Sequence, residues 1–95
     1  MNDAQIGELL EEIKREQHPS PFKEDEEFIG YIKDGEYKIN YDCGEKINYE
    51  TDLDARSLLK NYVLYADYKR LAEFYQLYGA ELAHLQAKYY KPTDI

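Results

Sequence analysis

Tryptophan is absent from this chain, cysteine occurs once, and proline is limited to three positions in 95 residues. With Cys43 alone there is no internal disulfide and no cysteine-based zinc site. No apolar run approaches the length of a membrane span. Residues 1–16 lack the basic flank and apolar core of a secretory signal, so a soluble intracellular protein is expected. Basic residues are also scarce, 12 Lys and Arg against 20 Asp and Glu, for a net charge of -8. The excess acid lies in the first half: residues 1–50 hold six Lys/Arg and fourteen Asp/Glu, and residues 51–95 hold six of each. Gripping nucleic acid through its phosphates requires clustered Lys and Arg, so this chain is expected to repel DNA. The same acid also serves solubility.

Signatures of catalysis are missing together. Neither His18 nor His84 has a second histidine or a cysteine at ligand spacing. The acidic run 24–27 points around a helix and lacks the spacing of a calcium loop. Cys43 has no nearby histidine to activate it, and no Ser, His and acid arrangement stands out. Gly30 and Gly35 form no phosphate loop. The expectation is a protein that is not an enzyme, with no catalytic residues, no cofactor and no metal.

What the chain does contain is an amphipathic helical pattern over 53–90, uninterrupted by proline and rich in tyrosine, of which the whole chain has 11. Leu71, Tyr75, Tyr78, Leu82, Leu85 and Tyr89 step by four and three, which keeps one stripe on one side of a helix. Before that, Ile6, Leu9, Leu10 and Ile13 predict a first helix capped by Asp3, ending near Gln17 ahead of His18-Pro19-Ser20-Pro21. Phe28, Ile32, Gly35, Ile39 and Cys43 follow at helical spacing behind an acid-rich first turn. Over 37–50 a β-hairpin competes with this helix. Tyr37, Ile39 and Tyr41 alternate, as do Ile47 and Tyr49, and the tetrapeptide Lys-Ile-Asn-Tyr occurs at both 38–41 and 46–49. Local pattern alone leaves both open.

A third helix carries the stripe Ala55, Leu58, Leu59, Tyr62, Val63 and Ala66, with Thr51, Asp52 or Asp54 as its cap. Continuing that stripe lands on charged Lys69 and Arg70, so the phase slips near Asp67 and a fourth helix is expected over about 68–90. The fold class is therefore all-α, one domain over residues 1–95. It is a small bundle of about four helices, with the last two, about 53–67 and 68–90, forming the core. Leu64, Tyr65 and Tyr68 fall opposite the stripe of helix three, and Ala72, Gly79 and Ala83 make a small-residue flank on helix four. A helix apolar on two faces is buried on two faces. These six residues are the candidate subunit interface, with burial by helices one and two as the intramolecular alternative.

Several segments together resemble the small head-tail connector, or adaptor, proteins of long-tailed bacteriophages and their prophages. These are the leading Leu-Leu-Glu-Glu-Ile-Lys helix at 9–14, Phe-Ile-Gly-Tyr-Ile-Lys-Asp-Gly at 28–35, Cys-Gly at 43–44, Ala-Arg-Ser-Leu-Leu-Lys-Asn-Tyr-Val-Leu-Tyr-Ala at 55–66, Leu-Ala-Glu-Phe at 71–74 and Glu-Leu-Ala-His-Leu-Gln at 81–86. The resemblance implies helix rather than hairpin through Tyr41. It implies a subunit that joins others in a ring, typically dodecameric, beneath the portal of a filled capsid. Such a ring extends the DNA channel and presents a platform to the next connector or tail protein, and DNA passes through without specific binding. The implied location is the head-tail junction of the virion, and the host cytoplasm during assembly. On this reading Glu24, Asp25, Glu26, Glu27, Asp42, Glu45 and Glu50 are candidate channel-facing acids. The competing reading is an acidic DNA mimic or regulatory binding module, which needs two phosphate-spaced rows of acid and meets a charge-balanced second half. A small hydrolase would require a deep pocket ringed by His84 and carboxylates.

Overall fold

The first helix, α1 (Asp3–Gln17), starts on a reciprocal cap. Asn2 Oδ1 accepts the Gln5 backbone N–H at 2.8 Å, while the Asn2 N–H donates to Gln5 Oε1 at 2.8 Å. Asn2, and not Asp3 as expected, is thus the N-cap, because its carbonyl already accepts the first helical bond from Ile6. This computed structural model describes residues 1–17 and 23–92. The proline-rich stop expected at 18–21 and His18 lie outside the described residues.

Among the described residues the regular elements are all helices: α2 (Asp25–Cys43), α3 (Leu53–Asp67), α4 (Leu71–Leu77) and α5 (Gly79–Tyr89) follow α1. Helix continues through 37–43, so the hairpin is excluded. Gly44, at φ 64°, ends α2 in a Schellman motif: its N–H donates to the Tyr41 carbonyl and that of Glu45 to Asn40. The loop after it is fastened back onto the helix. Asn40 Oδ1 accepts both the Tyr49 hydroxyl at 2.9 Å and the Ile47 N–H at 3.3 Å.

The buried stripes are those the spacing predicts for α1, α2 and α3, residue for residue. Helices α2 and α3 run antiparallel and pack tightly at Gly35. A Cβ there would lie 2.7 Å from both Leu59 Cδ1 and Tyr62 Cδ1. Helix α1 runs parallel to α3, joined by Glu12 to Arg56 at 2.7 Å and Glu16 to Lys60 at 2.8 Å.

Two expectations need correction. The stretch 68–90 is not one helix, so the described residues form five helices where about four were expected. The chain turns at 68–70 in a second Schellman motif, in which Lys69 takes a left-handed φ of 58°. The Lys69 N–H donates to Ala66 O and the Arg70 N–H to Tyr65 O. The helix breaks again at Tyr78, just before Gly79, a poor helix former. Of the last two expected helices, 53–67 supplies a central part of the core and 68–90 does not. Among the described residues beyond 67 only Phe74 and Leu85 are buried, and the remaining core belongs to α1, α2, α3 and the loop residues Ile47 and Tyr49. The strict four-three stripe of 71–89 is half-buried because it lies across the edge of a core already built from the other helices.

Candidate docking faces and the groove between α3 and α5

Gly35 points at α3, and Tyr37 and Tyr41 lie about 200° and 240° further round α2 at 100° per residue. They are therefore on its outer face, 69% and 76% exposed, with rings stacked 6.4 Å apart. Leu59 and Tyr62 point at α2, so Leu64 and Tyr68 face outward on the other side of the pair, Leu64 half-buried and Tyr68 56% exposed. Leu53 extends that outer strip at the start of α3. The fold thus presents two aromatic or apolar faces on opposite sides of its central helix pair. Sequence reasoning missed Tyr37 and Tyr41. Their i, i+4 spacing off the α2 stripe was the available signal, and the hairpin alternative obscured it.

The six candidate interface residues do not form one surface. Tyr65 is covered within the chain, its ring 6.4 Å from Phe74 and 5.9 Å from Tyr78. It is half-buried there, with α4 and α5 folded back over part of it. Leu64 and Tyr68 remain outward, Ala72 and Ala83 are exposed, and Gly79 is half-buried at the break.

The candidate channel acids divide in two. Glu24, Asp25, Glu26 and Glu27 are exposed at the start of α2, where Asp25 pairs with Lys14 at 2.6 Å. Asp42, Glu45 and Glu50 lie at its far end, about 27 Å away at 1.5 Å per residue. Glu45 pairs there with Lys91 at 2.6 Å, and that ammonium holds its carboxyl below the usual range.

The last helix is fastened to the core by one carboxylate. Asp52, 7% exposed, caps α3 by accepting the Ala55 N–H at 3.0 Å through Oδ1. Its Oδ2 accepts Lys88 Nζ at 2.8 Å and the Tyr89 hydroxyl. Burial alone would raise the Asp52 pKa, but the hydrogen bonds from Lys88, Tyr89 and the Ala55 N–H together outweigh it and hold the carboxyl low. The same hydrogen bond to a carboxylate, aided by burial, pushes the Tyr89 phenol up to about 12. At the centre of the fold, burial and the Asp34 carboxylate that accepts its hydroxyl at 3.0 Å likewise push Tyr62 up to about 12, despite Lys38 nearby.

Between α3 and α5 lies an open groove of about 530 Å³ over Leu58 and Leu85, walled by Asp54, Ser57, Asn61, Tyr78, Glu81, His84 and Lys88. It brings His84 beside two carboxylates and a serine. Among the described residues no hydrogen bond links these side chains, and no three His, Cys, Asp or Glu converge at metal-binding spacing. Cys43 is buried, and burial with the nearby Asp42 and Asp52 carboxylates pushes its thiol up, away from the reactive thiolate. No described helix is long and apolar enough to cross a membrane. No family model, curated protein or solved structure matches this chain.

Proposed function

We propose that this chain is a structural ring subunit, a head-tail connector of a long-tailed phage or prophage. It sits beneath the portal, extends the DNA channel and gives the next connector or the tail its platform. The observation that carries the reading is the pair of outward faces on opposite sides of α2 and α3, Tyr37 with Tyr41 and Leu64 with Tyr68. Two different faces on one subunit support head-to-tail contact, which closes into a ring when the rotation allows. Exposed tyrosine suits such contacts, since its ring buries well and its hydroxyl tolerates water.

The reading is not enzymatic and needs no cofactor or metal. Its partners are further copies of itself, the portal protein and the next connector or tail protein, first in the host cytoplasm and then at the head-tail junction of the virion. With α2 along the channel, the acids at its two ends form two negative collars about 27 Å apart, repelling DNA that must slide without sticking. Carboxylates in two separate groups, all but Glu45 exposed, fit that use better than the paired rows of a DNA mimic.

The test is affinity capture of the tagged chain from cells producing the particles its own genome encodes. Portal and tail proteins are the expected partners. Recovery of a nuclease or repressor through its DNA-binding site, with no portal, would replace this reading by the acidic mimic. A particle map placing residues 24–27 on the outer rim would remove the channel assignment.

A further inference from the structure

The arm formed by α4 and α5 is joined to the rest of the chain by a corner that its own sequence does not require. Residues 53–77 contain neither glycine nor proline. Tyr68, Lys69 and Arg70 are all exposed, and Lys69 holds a left-handed φ of 58° that lysine rarely adopts. Straightening these three residues would relieve that conformation and merge α3 with α4 into one helix about 38 Å long at 1.5 Å per residue. In such a helix Lys69 and Arg70 continue the stripe that ends at Ala66. They are charged, which suits a segment bridging through water and does not suit a core.

The arm is also lightly held. It buries Phe74 and Leu85, packs Leu71, Tyr78, Leu82 and Tyr89 only partly against the core, leaves an open groove of about 530 Å³ beside α3, and is tied by the Asp52 clasp and a 3.2 Å hydrogen bond from Gln86 to the Asp42 carbonyl. Helices α1, α2 and α3 also pack directly on one another.

We infer that neighbouring copies of this chain exchange their arms. The corner at 68–70 straightens, and residues 71–89 of one copy dock in the place vacated by those of the next. A second copy is the occupant because the cradle already matches this arm side chain for side chain, Asp52 with Lys88 and Tyr89 included. A strained, short hinge is the feature that invites such exchange. The inference deepens the ring reading and rests on it only for closure: exchange passed from copy to copy closes as a ring, whereas reciprocal exchange stops at a dimer.

The experiment compares Lys69→Gly, which relaxes the turn, with Lys69→Ala, which favours the straight helix; neither touches the cradle. Light and isotopically heavy chains of each variant are refolded together, their association is measured by analytical ultracentrifugation, and Lys88 is joined to Asp52 with a zero-length carbodiimide cross-linker. Relative to the glycine variant, the alanine variant should associate on the order of tenfold more tightly per hinge. Its oligomers should carry the Lys88–Asp52 link between light and heavy chains. Oligomers whose links are all light to light or heavy to heavy would overturn the exchange and leave a ring built through the outer faces. Two monomeric variants would also overturn the exchange, and portal capture by the unmodified chain would then decide the ring reading separately.

Discussion

Replacing Gly35 with alanine tests the packing that joins α2 to α3. The new Cβ would meet Leu59 Cδ1 and Tyr62 Cδ1 at 2.7 Å and Tyr62 Cε1 at 3.2 Å. Carbon atoms pack best at about 3.5–4.0 Å, so two of these contacts are short by roughly 1 Å. Neither neighbour has room to yield. Leu59 and Tyr62 are both 0% exposed, and the Tyr62 ring is fixed edge-on against Phe74, 5.4 Å away. The helices must therefore part or the side chains leave their rotamers, at about 1–3 kcal/mol. Against this stands the better helix propensity of alanine, about 1 kcal/mol. The net expectation is a loss of up to about 2 kcal/mol. Gly30→Ala is the internal control: it lies in the same helix, is exposed, and its Cβ meets nothing within 4 Å. That change should stabilise by about 0.5–1 kcal/mol. Urea denaturation followed by circular dichroism measures both, with an unchanged slope as the check that only stability moved. Combining Gly35→Ala with Leu59→Val, which removes the crowded Cδ1, should cost less than the two singles added. If Gly35→Ala matches Gly30→Ala in sign, the close approach of α2 to α3 is wrong.

Leu64→Glu should leave the urea midpoint nearly unchanged and abolish ring formation, read by sedimentation; an unfolded variant would show that this face belongs to the core. Asn40→Ala strands the hydroxyl of Tyr49, which is 1% exposed, and should cost about 1–3 kcal/mol by thermal or urea melting. Asp52→Asn keeps the α3 cap but loses the charge facing Lys88, and should loosen α5 amides in hydrogen exchange while those of α1 stay protected. The same group sets the acid limit. Because its folded pKa is lowered, its contribution is complete above the unfolded value near 3.9 and is lost as pH falls through the lower folded value. Tyr62 and Tyr89 set the alkaline limit with the opposite sense. Their raised values favour the neutral phenol in the fold, so this stability is present below about pH 10 and is lost as pH rises through about 12. Tyrosinate absorbance and circular dichroism should therefore change together there, and ionisation of all tyrosines near their ordinary value with the fold intact would contradict these two hydrogen bonds.

The connector resemblance rests on spaced apolar and aromatic residues, and so does what the fold does best: three helices whose buried sides are readable from position alone. Stripes such as Ile6, Leu9, Leu10 and Ile13 are local facts, because 3.6 residues per turn puts them on one face whatever they pack against. Phe74 was different. It stands off the 71–89 stripe, yet it is the arm residue buried deepest, 1% exposed, because the corner at Lys69 rotates α4 and drops its ring onto Tyr62 and Tyr65. The acids at 24–27 were legible as the first turn of α2, where they stand, whereas which way either end of that helix faces is a matter of packing that spacing does not contain.

The two copies of Lys-Ile-Asn-Tyr draw the line most sharply. Sequence by itself made α1, α3 and the first half of α2 helical and chose their inner faces, since periodicity acts over a few residues; it left 37–43, where α2 continues, open between helix and hairpin. It could not tell the copies apart. In the first, Asn40 anchors a loop and Tyr41 is 76% exposed; in the second, Asn48 accepts the turn bonds from Thr51 and Asp52 and Tyr49 is 1% exposed. Only tertiary structure separates them, because the loop returns across the end of α2 and carries Tyr49 to the Asn40 side chain, a contact between residues that no local spacing brings together.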